Sequence, residues 1–280
     1  MNTKQNSVVA IQGIEGSYHD IVAKEYFGDS IQVIHCDTFD ELVEQIKSQK
    51  CSHGLMAIEN SIAGSILPNY SLIDCGQMSI VGEYLYSISH HLMVLPGQTI
   101  DQIKEVHSHP MALQQCKRFF QQYPHIRLIE SHDTAEEAKW IAQKKIRGYG
   151  AIASRQAASL FGLDILASNI QTIRNNVTRF VVIQRTQDAM IPENSNKAAL
   201  KFTLDHQRGS LATVLNLMSD CQLNLTKIQS LPIIEIPGKY AFFVDVLFNE
   251  YKQFEKAKKI IEIIATQFKV LGIYQNKKYD

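Results

Sequence analysis

Five cysteines (Cys36, Cys51, Cys75, Cys116 and Cys221) include no CxxC pair, and an odd set of this kind fits reduced thiols better than disulfides or a zinc site. No apolar stretch approaches the roughly 18–20 residues that cross a bilayer, and the polar start lacks the apolar segment of a secretory signal. A membrane partner is not expected, and the expected location is cytoplasmic. No run of like charge stands out: Lys and Arg total 28, as do Asp and Glu, for a formal net charge of +0. A phosphate backbone would have no electrostatic footprint to dock on, so no nucleic-acid partner is expected. The dinucleotide pattern GxGxxG is also missing, because Gly13 and Gly16 stand without a third glycine in register. The closest histidine groups, His107 with His109 and His90 with His91, have no Cys or carboxylate at a standard ligand spacing, so no metal is expected.

What is present is a 280-residue chain that is 45% hydrophobic, long enough for two domains with sizeable cores. Short β-branched runs over 7–11, 31–35 and 53–58 alternate with helical patterns over 19–27 and 38–48, which predicts an α/β fold with a largely parallel sheet. Further strands are predicted over 87–95, 105–108, 126–130, 150–153 and 178–184, with helices over 111–122, 134–145 and 155–161 between them. The polar, proline-containing stretch 188–196 has neither periodicity and predicts a linker. Beyond it the pattern changes to strand 199–204, helix 210–220, strand 224–234, a turn at Pro237-Gly238, strand 240–248, helix 252–268 and strand 270–274. That βαββαβ order is the ferredoxin-like arrangement.

Four junctions carry candidate chemistry. IQGIEGSYHD places glycines between a strand and a helix start, either an anion-binding loop or a tight turn in which Ser17 caps the helix. ENSIAGS puts Asn60, Ser61 and Gly64 at the carboxyl end of a buried strand, where open α/β sheets bind ligands, or where Asn60 and Ser61 merely cap the next helix. SHPMALQQC sets Ser108 and His109 at a helix mouth with Gln115 about one and a half turns in. In NNVTRF, strand alternation separates Thr178 and Phe180 from Arg179, which is either a carboxylate ligand or a structural cation.

Together these segments, with SHDTAEEAK and AIASRQAASLFGLDIL, resemble prephenate dehydratase in order and spacing from about position 8 to 274. The tail GSLATVLNLMSDCQLNLTKIQSLP, followed by KYAFFVDV, resembles the regulatory ACT domain that such enzymes carry. The resemblance implies a catalytic domain over 1–186 in two lobes, the second over about 87–168, similar to a type II periplasmic-binding-protein fold. It further implies a linker over 187–197 and an ACT domain over 198–280. The implied reaction converts prephenate to phenylpyruvate, water and carbon dioxide, with no cofactor. By motif, Thr178, Asn60, Ser108 and Gln115 would be the catalytic set, and Ser17, Ser61, Gly64, Arg179 and Phe180 would bind substrate.

L-Phenylalanine would be the effector, held by Gly209, Ser210, Leu211, Ala212, Asn224, Leu225, Gln229, Ser230, Leu231 and Pro232 at an interface of a homodimer or homotetramer. The family's Glu-Ser-Arg-Pro segment is Gln229-Ser230-Leu231-Pro232 here, so two charged positions have become uncharged. A fused chorismate mutase is not expected, because the first strand starts by Ser7. A non-catalytic two-lobed sensor would share the same fold.

Overall fold

The computed structural model describes residues 7–233 and 236–276; the outer ends of both expected domains, and the expected strand end at 234, lie outside them. The chain begins β1 (Val8–Gln12), α1 (Tyr18–Phe27), β2 (Gln32–Cys36), α2 (Phe39–Lys47), β3 (His53–Asn60), β4 (Gly64–Ser65), α3 (Leu67–Cys75) and β5 (Met78–Ser87). It continues β6 (His91–Val94), β7 (Glu105–Ser108), α4 (Pro110–Phe120), β8 (Arg127–Glu130), α5 (Thr134–Lys144), β9 (Tyr149–Ala153), α6 (Arg155–Phe161), β10 (Asp164–Ala167) and β11 (Val177–Arg185). The last part is β12 (Lys197–Thr203), α7 (Ser210–Asp220), β13 (Asn224–Pro232), β14 (Tyr240–Leu247), α8 (Tyr251–Ile264) and β15 (Gln267–Tyr274).

Three sheets result, in a mixed α/β fold. The first runs β2-β1-β3-β11-β5, with β4 paired to β3. The second runs β10-β6-β9-β7-β8. On its strands Leu92, Val94, Val106 and Ile152 pack against α4, while Met93, Ala151 and Ala153 pack against α5 and α6. Both faces are therefore covered, which is why the central strands β6 and β9 are buried along nearly their whole length rather than on alternate residues. The third sheet is antiparallel in the order β13-β14-β12-β15, the ferredoxin-like strand order.

The chain divides into two compact units: residues 1–64 with 85–180, and residues 65–84 with 181–280. This is not the expected division near 187. Segment 65–84 belongs with the C-terminal part because Asp74 takes ion pairs from Lys201 and Lys269, Glu83 binds Lys197, and Tyr70 packs edge-on against Phe243 at 5.2 Å. Gly272 lies so close to the backbone of Ile80 that a Cβ there would stand 2.1 Å from its carbonyl oxygen.

Other elements also depart from the expected pattern. The apolar run 87–95 is two strands, broken at 88–90 where Ile88 N–H donates to Asn176 O and Ile170 N–H to His90 O. Helix α8 stops at Ile264, not 268, because Gln267 and Phe268 are taken into the ladder opposite Thr203 and Phe202. Helix α3 is not among the expected helices: Ile66 at its N-cap makes no side-chain cap, and Pro68 in its first turn is the one start signal it carries.

Candidate active site

The strands β3 and β11 are neighbours in the first sheet, and the chain leaves β3 at Asn60. Ser61 ties that exit to the start of β11: its N–H donates to Val177 O at 2.8 Å and its Oγ accepts from Val177 N at 2.9 Å. Asn60 Oδ1 accepts the backbone N–H groups of Ile62 and Ala63 at 3.0 and 2.9 Å. A backbone N–H can only donate, so this turn fixes which end of the Asn60 amide is oxygen.

The rest of the polarity follows from that anchor. The Asn60 NH2 donates to Asn176 Oδ1 at 2.7 Å and to Thr178 Oγ1 at 2.9 Å. Asn176, its oxygen engaged, donates through Nδ2 to Gln115 Oε1 at 2.8 Å. His90 Nε2 lies 2.9 Å from the same Gln115 oxygen. Gln115 rides on α4 of the second sheet, and its carbonyl accepts Thr172 N–H at 2.9 Å. Two donors stay uncommitted. Thr178 Oγ1 accepts from Asn60, leaving its own proton free, and the Gln115 amide nitrogen has no partner among the described residues.

Asn60, Gln115 and Thr178 are thus brought together, and other expected site residues are not. Ser108 is fully buried and donates to Ile152 O at 2.7 Å, so it fastens β7 to β9 and is no member of this group. The glycine turn is a structural cap rather than an anion loop. Gly16 N–H is taken by Asp20 Oδ2 at 2.9 Å, Gly13 N–H by Cys36 O, Ser17 N–H by Ile14 O, and the Ser17 hydroxyl caps α1. Gly16 also packs against Ala157 and Leu160 of α6, and its carbonyl accepts from Ser154 Oγ at 2.9 Å. Arg179 faces away from Thr178, as alternation requires, and its guanidinium lies 3.8 Å from Glu59 Oε2. Phe180 is core: only 1% exposed, it meets the His19 ring edge-on at 5.0 Å. Gly64, at φ +83°, has open space around it and shapes the turn after Asn60.

Three participants had no sequence signal of their own. Asn176 stands inside NNVTRF, His90 was visible only as half of a histidine pair, and Tyr18 closes the far end. Tyr18 Oη donates to Ser89 O at 2.7 Å and lies 3.3 Å from His90 Nδ1. Burial pushes the Tyr18 hydroxyl well above its usual range.

Burial, with smaller contributions from the charges of His91 and His109, lowers the His90 pKa to about 4 against the opposing effect of the hydrogen bond its ring makes to the Gln115 oxygen. His90 is therefore neutral at pH 7. The unfolded chain takes up its proton near pH 6.5 while the folded chain resists until about 4, so this contribution is complete above 6.5 and is lost as pH falls towards 4. His90 alone is expected to cost about 2 kcal/mol of folding stability between pH 7 and 5. Urea unfolding at the two pH values should show a fall of at least that size, to which the buried His19, also lowered to about 4, adds its own part, and His90→Gln, which cannot titrate, should reduce the fall by about 2 kcal/mol; an undiminished fall in the variant would contradict it.

In the second unit a hollow of about 170 Å3 is lined by Asp205, His206, Ser210, Leu211, Lys239 and Tyr240, among others. It brings in Ser210 and Leu211, next to Gly209 at the N-cap of α7, φ +86°. Asn224, Leu225 and the segment Gln229-Ser230-Leu231-Pro232 are not in its lining; they run along the edge strand β13.

The family model for prephenate dehydratase matches residues 9–188. The chain is 33% identical over 280 residues to the chloroplastic arogenate dehydratase/prephenate dehydratase 2 of Arabidopsis thaliana, covering 95% of this chain and 72% of that protein. It is 30% identical over 273 residues to the bifunctional chorismate mutase/prephenate dehydratase of Escherichia coli K12, covering 96% and 71%. In fold it is similar to the prephenate dehydratase of Arthrobacter aurescens solved in complex with L-Phe, with a TM-score of 0.87 at 23% identity over 96% of this chain and 90% of that one. The matched span holds every member of the hydrogen-bonded series from Tyr18 to Thr178, and likeness to the relatives runs on through the second unit, so the chain belongs to the prephenate dehydratase family of carbon–oxygen lyases.

Proposed function

We propose that this chain converts prephenate to phenylpyruvate, water and carbon dioxide, and that residues 198–280 act as an ACT domain through which L-phenylalanine restrains it. The observation that supports the reading best is the one-way hydrogen-bond series ending in two free donors, the Thr178 hydroxyl and the Gln115 NH2. Prephenate carries a hydroxyl and a carboxylate on opposite carbons of its ring. When the C–CO2 bond breaks, its electron pair enters the ring and the C–O bond releases the hydroxyl with its bonding pair, as hydroxide that takes one proton from solvent to become water. Aromaticity supplies the driving force. The protein's task is to favour the growing negative charge on the departing oxygen, and fixed neutral donors do so without reorganising. Thr178 is engaged as an acceptor by Asn60, which polarises its O–H towards the leaving group. A hydroxyl of such high pKa is a poor acid, so hydrogen bonding rather than full proton transfer is its part.

The hollow beside Ser210 and Leu211 is where phenylalanine would begin to bind, completed by a second subunit of a homodimer or homotetramer. Free thiols at all five cysteines suit a cytoplasmic setting. Closure of the two lobes over the substrate would exclude water.

Incubation with prephenate should give phenylpyruvate, read by its absorbance in alkali, and added phenylalanine should lower the rate while binding saturably by calorimetry. The name of the Arabidopsis relative makes arogenate the competing substrate. Faster turnover of arogenate would reassign the substrate, and saturable binding of either without turnover would overturn the lyase reading. Phenylalanine that neither binds nor inhibits would leave assembly as the role of 198–280.

A further inference from the structure

One of the two free donors, the Gln115 NH2, depends on which way its own amide faces, and nothing on α4 itself holds that amide. Its oxygen receives Asn176 Nδ2 at 2.8 Å, and the direction of that bond is imposed from Asn60 and the backbone N–H groups of Ile62 and Ala63. A second group reaches the same oxygen: His90 Nε2, at 2.9 Å. Oxygen facing a bare ring nitrogen would be two acceptors in contact, so Nε2 must carry the proton. Nδ1 is then bare, 3.3 Å from the Tyr18 hydroxyl, whose one proton goes mainly to the nearer Ser89 O at 2.7 Å; the shorter 2.9 Å contact at Nε2 is the one that sets the tautomer.

The ring itself is held from several sides. His90 N–H donates to the buried Gln171 Oε1 at 3.0 Å, its carbonyl accepts Ile170 N–H at 3.0 Å, and the Tyr18 ring stands edge-on to it at 6.0 Å. An imidazole is thereby fixed in place and in tautomer, with a single proton aimed at Gln115.

We propose that His90 is a positioning residue for the dehydration: as the Nε2–H tautomer it holds the Gln115 oxygen inward, so that the Gln115 NH2 stays turned out as a donor to the substrate. Without His90, Asn176 alone restrains the amide, and rotation about the last bond of Gln115 would present an acceptor to an electron-rich leaving oxygen. The role rests on the lyase reading above, whereas the tautomer does not.

The test has one arm for each. In protein labelled with 15N-histidine, the ring nitrogens assigned to His90 by their loss in His90→Gln should show a protonated Nε2 and a bare Nδ1. Protonation at Nδ1 instead would overturn the proposal whatever the activity. In steady-state assays with prephenate, His90→Gln, whose amide reaches the Nε2 position, should keep kcat within about threefold. His90→Asn, equally polar but too short to reach, should lose about tenfold or more in kcat with KM little changed. In a Gln115→Leu background His90→Asn should cost nothing further, because its only route to the substrate is gone. Equal rates for the Gln and Asn variants, or a His90→Asn loss that persists undiminished beside Gln115→Leu, would overturn the positioning role. A wild-type protein with no turnover would instead reject the lyase reading, and the positioning role with it.

Discussion

Thr178→Val is expected to lower kcat about a hundredfold, close to 2.7 kcal/mol of barrier, with KM changed by no more than about threefold. Valine keeps the shape and β-branching of threonine, so β11 has no reason to move. What disappears is one hydroxyl that accepts from Asn60 at 2.9 Å and has its own proton to spare. Losing the bond to Asn60 costs about 1 kcal/mol of stability, since Asn60 keeps its other donor bond to Asn176 and both backbone contacts. The larger loss falls on the transition state, where the leaving oxygen gains charge that the ground-state hydroxyl does not carry. Thr178→Ser supplies the control. It restores the hydroxyl with a freer rotor and should recover most of the rate. A Val variant within twofold of wild type, or a Ser variant as slow as Val, would remove this hydroxyl from the chemistry.

Much of that site was legible in the sequence, and the parts that were not have physical causes. Asn60 and Thr178 could be read because they end or begin strands in the ENSIAGS and NNVTRF segments, and Gln115 because helical spacing put it near the mouth of α4. Ser108 and Ser17 shared the same signature of a small polar residue at an element boundary. Such a residue is as useful for capping or strand fastening as for catalysis, and only the partner atom distinguishes them: Ile152 O for one and Asp20 N for the other. Arg179 shows the same ambiguity for charge, since Glu59, 120 positions earlier in the chain, is brought beside it by the pairing of β3 with β11. His90 and Asn176 matter through hydrogen-bond direction, a property with no spacing or composition to reveal it. The fold was read better where periodicity was strong, as in α7, recovered over its full length, than in α3, whose start lacks any capping side chain.

Removing the carboxylate of Glu83 is expected to destabilise the protein by about 3–5 kcal/mol, the effect of stranding a charge inside a fold. Lys197 Nζ donates to both Glu83 oxygens at 2.8 Å, the two side chains are 9% and 3% exposed, and the wholly buried Tyr274 adds its hydroxyl at 3.4 Å. The pair joins β5, the start of β12 and the end of β15, so a lone ammonium at this point must either drag water in or pull those strands apart. At a size somewhat above 250 residues the loss corresponds to roughly 10 °C in Tm. Glu83→Leu should show it in thermal and urea unfolding. The double variant Glu83→Leu with Lys197→Met should then recover most of the loss, since an apolar pair has no charge left to solvate. This pattern separates a stranded charge from a packing defect, because a cavity or overpacking at position 83 would persist in the double variant. A Glu83→Leu protein within about 1 kcal/mol of wild type would show that Lys197 finds water without cost, and the pair would then count as no more than a surface contact.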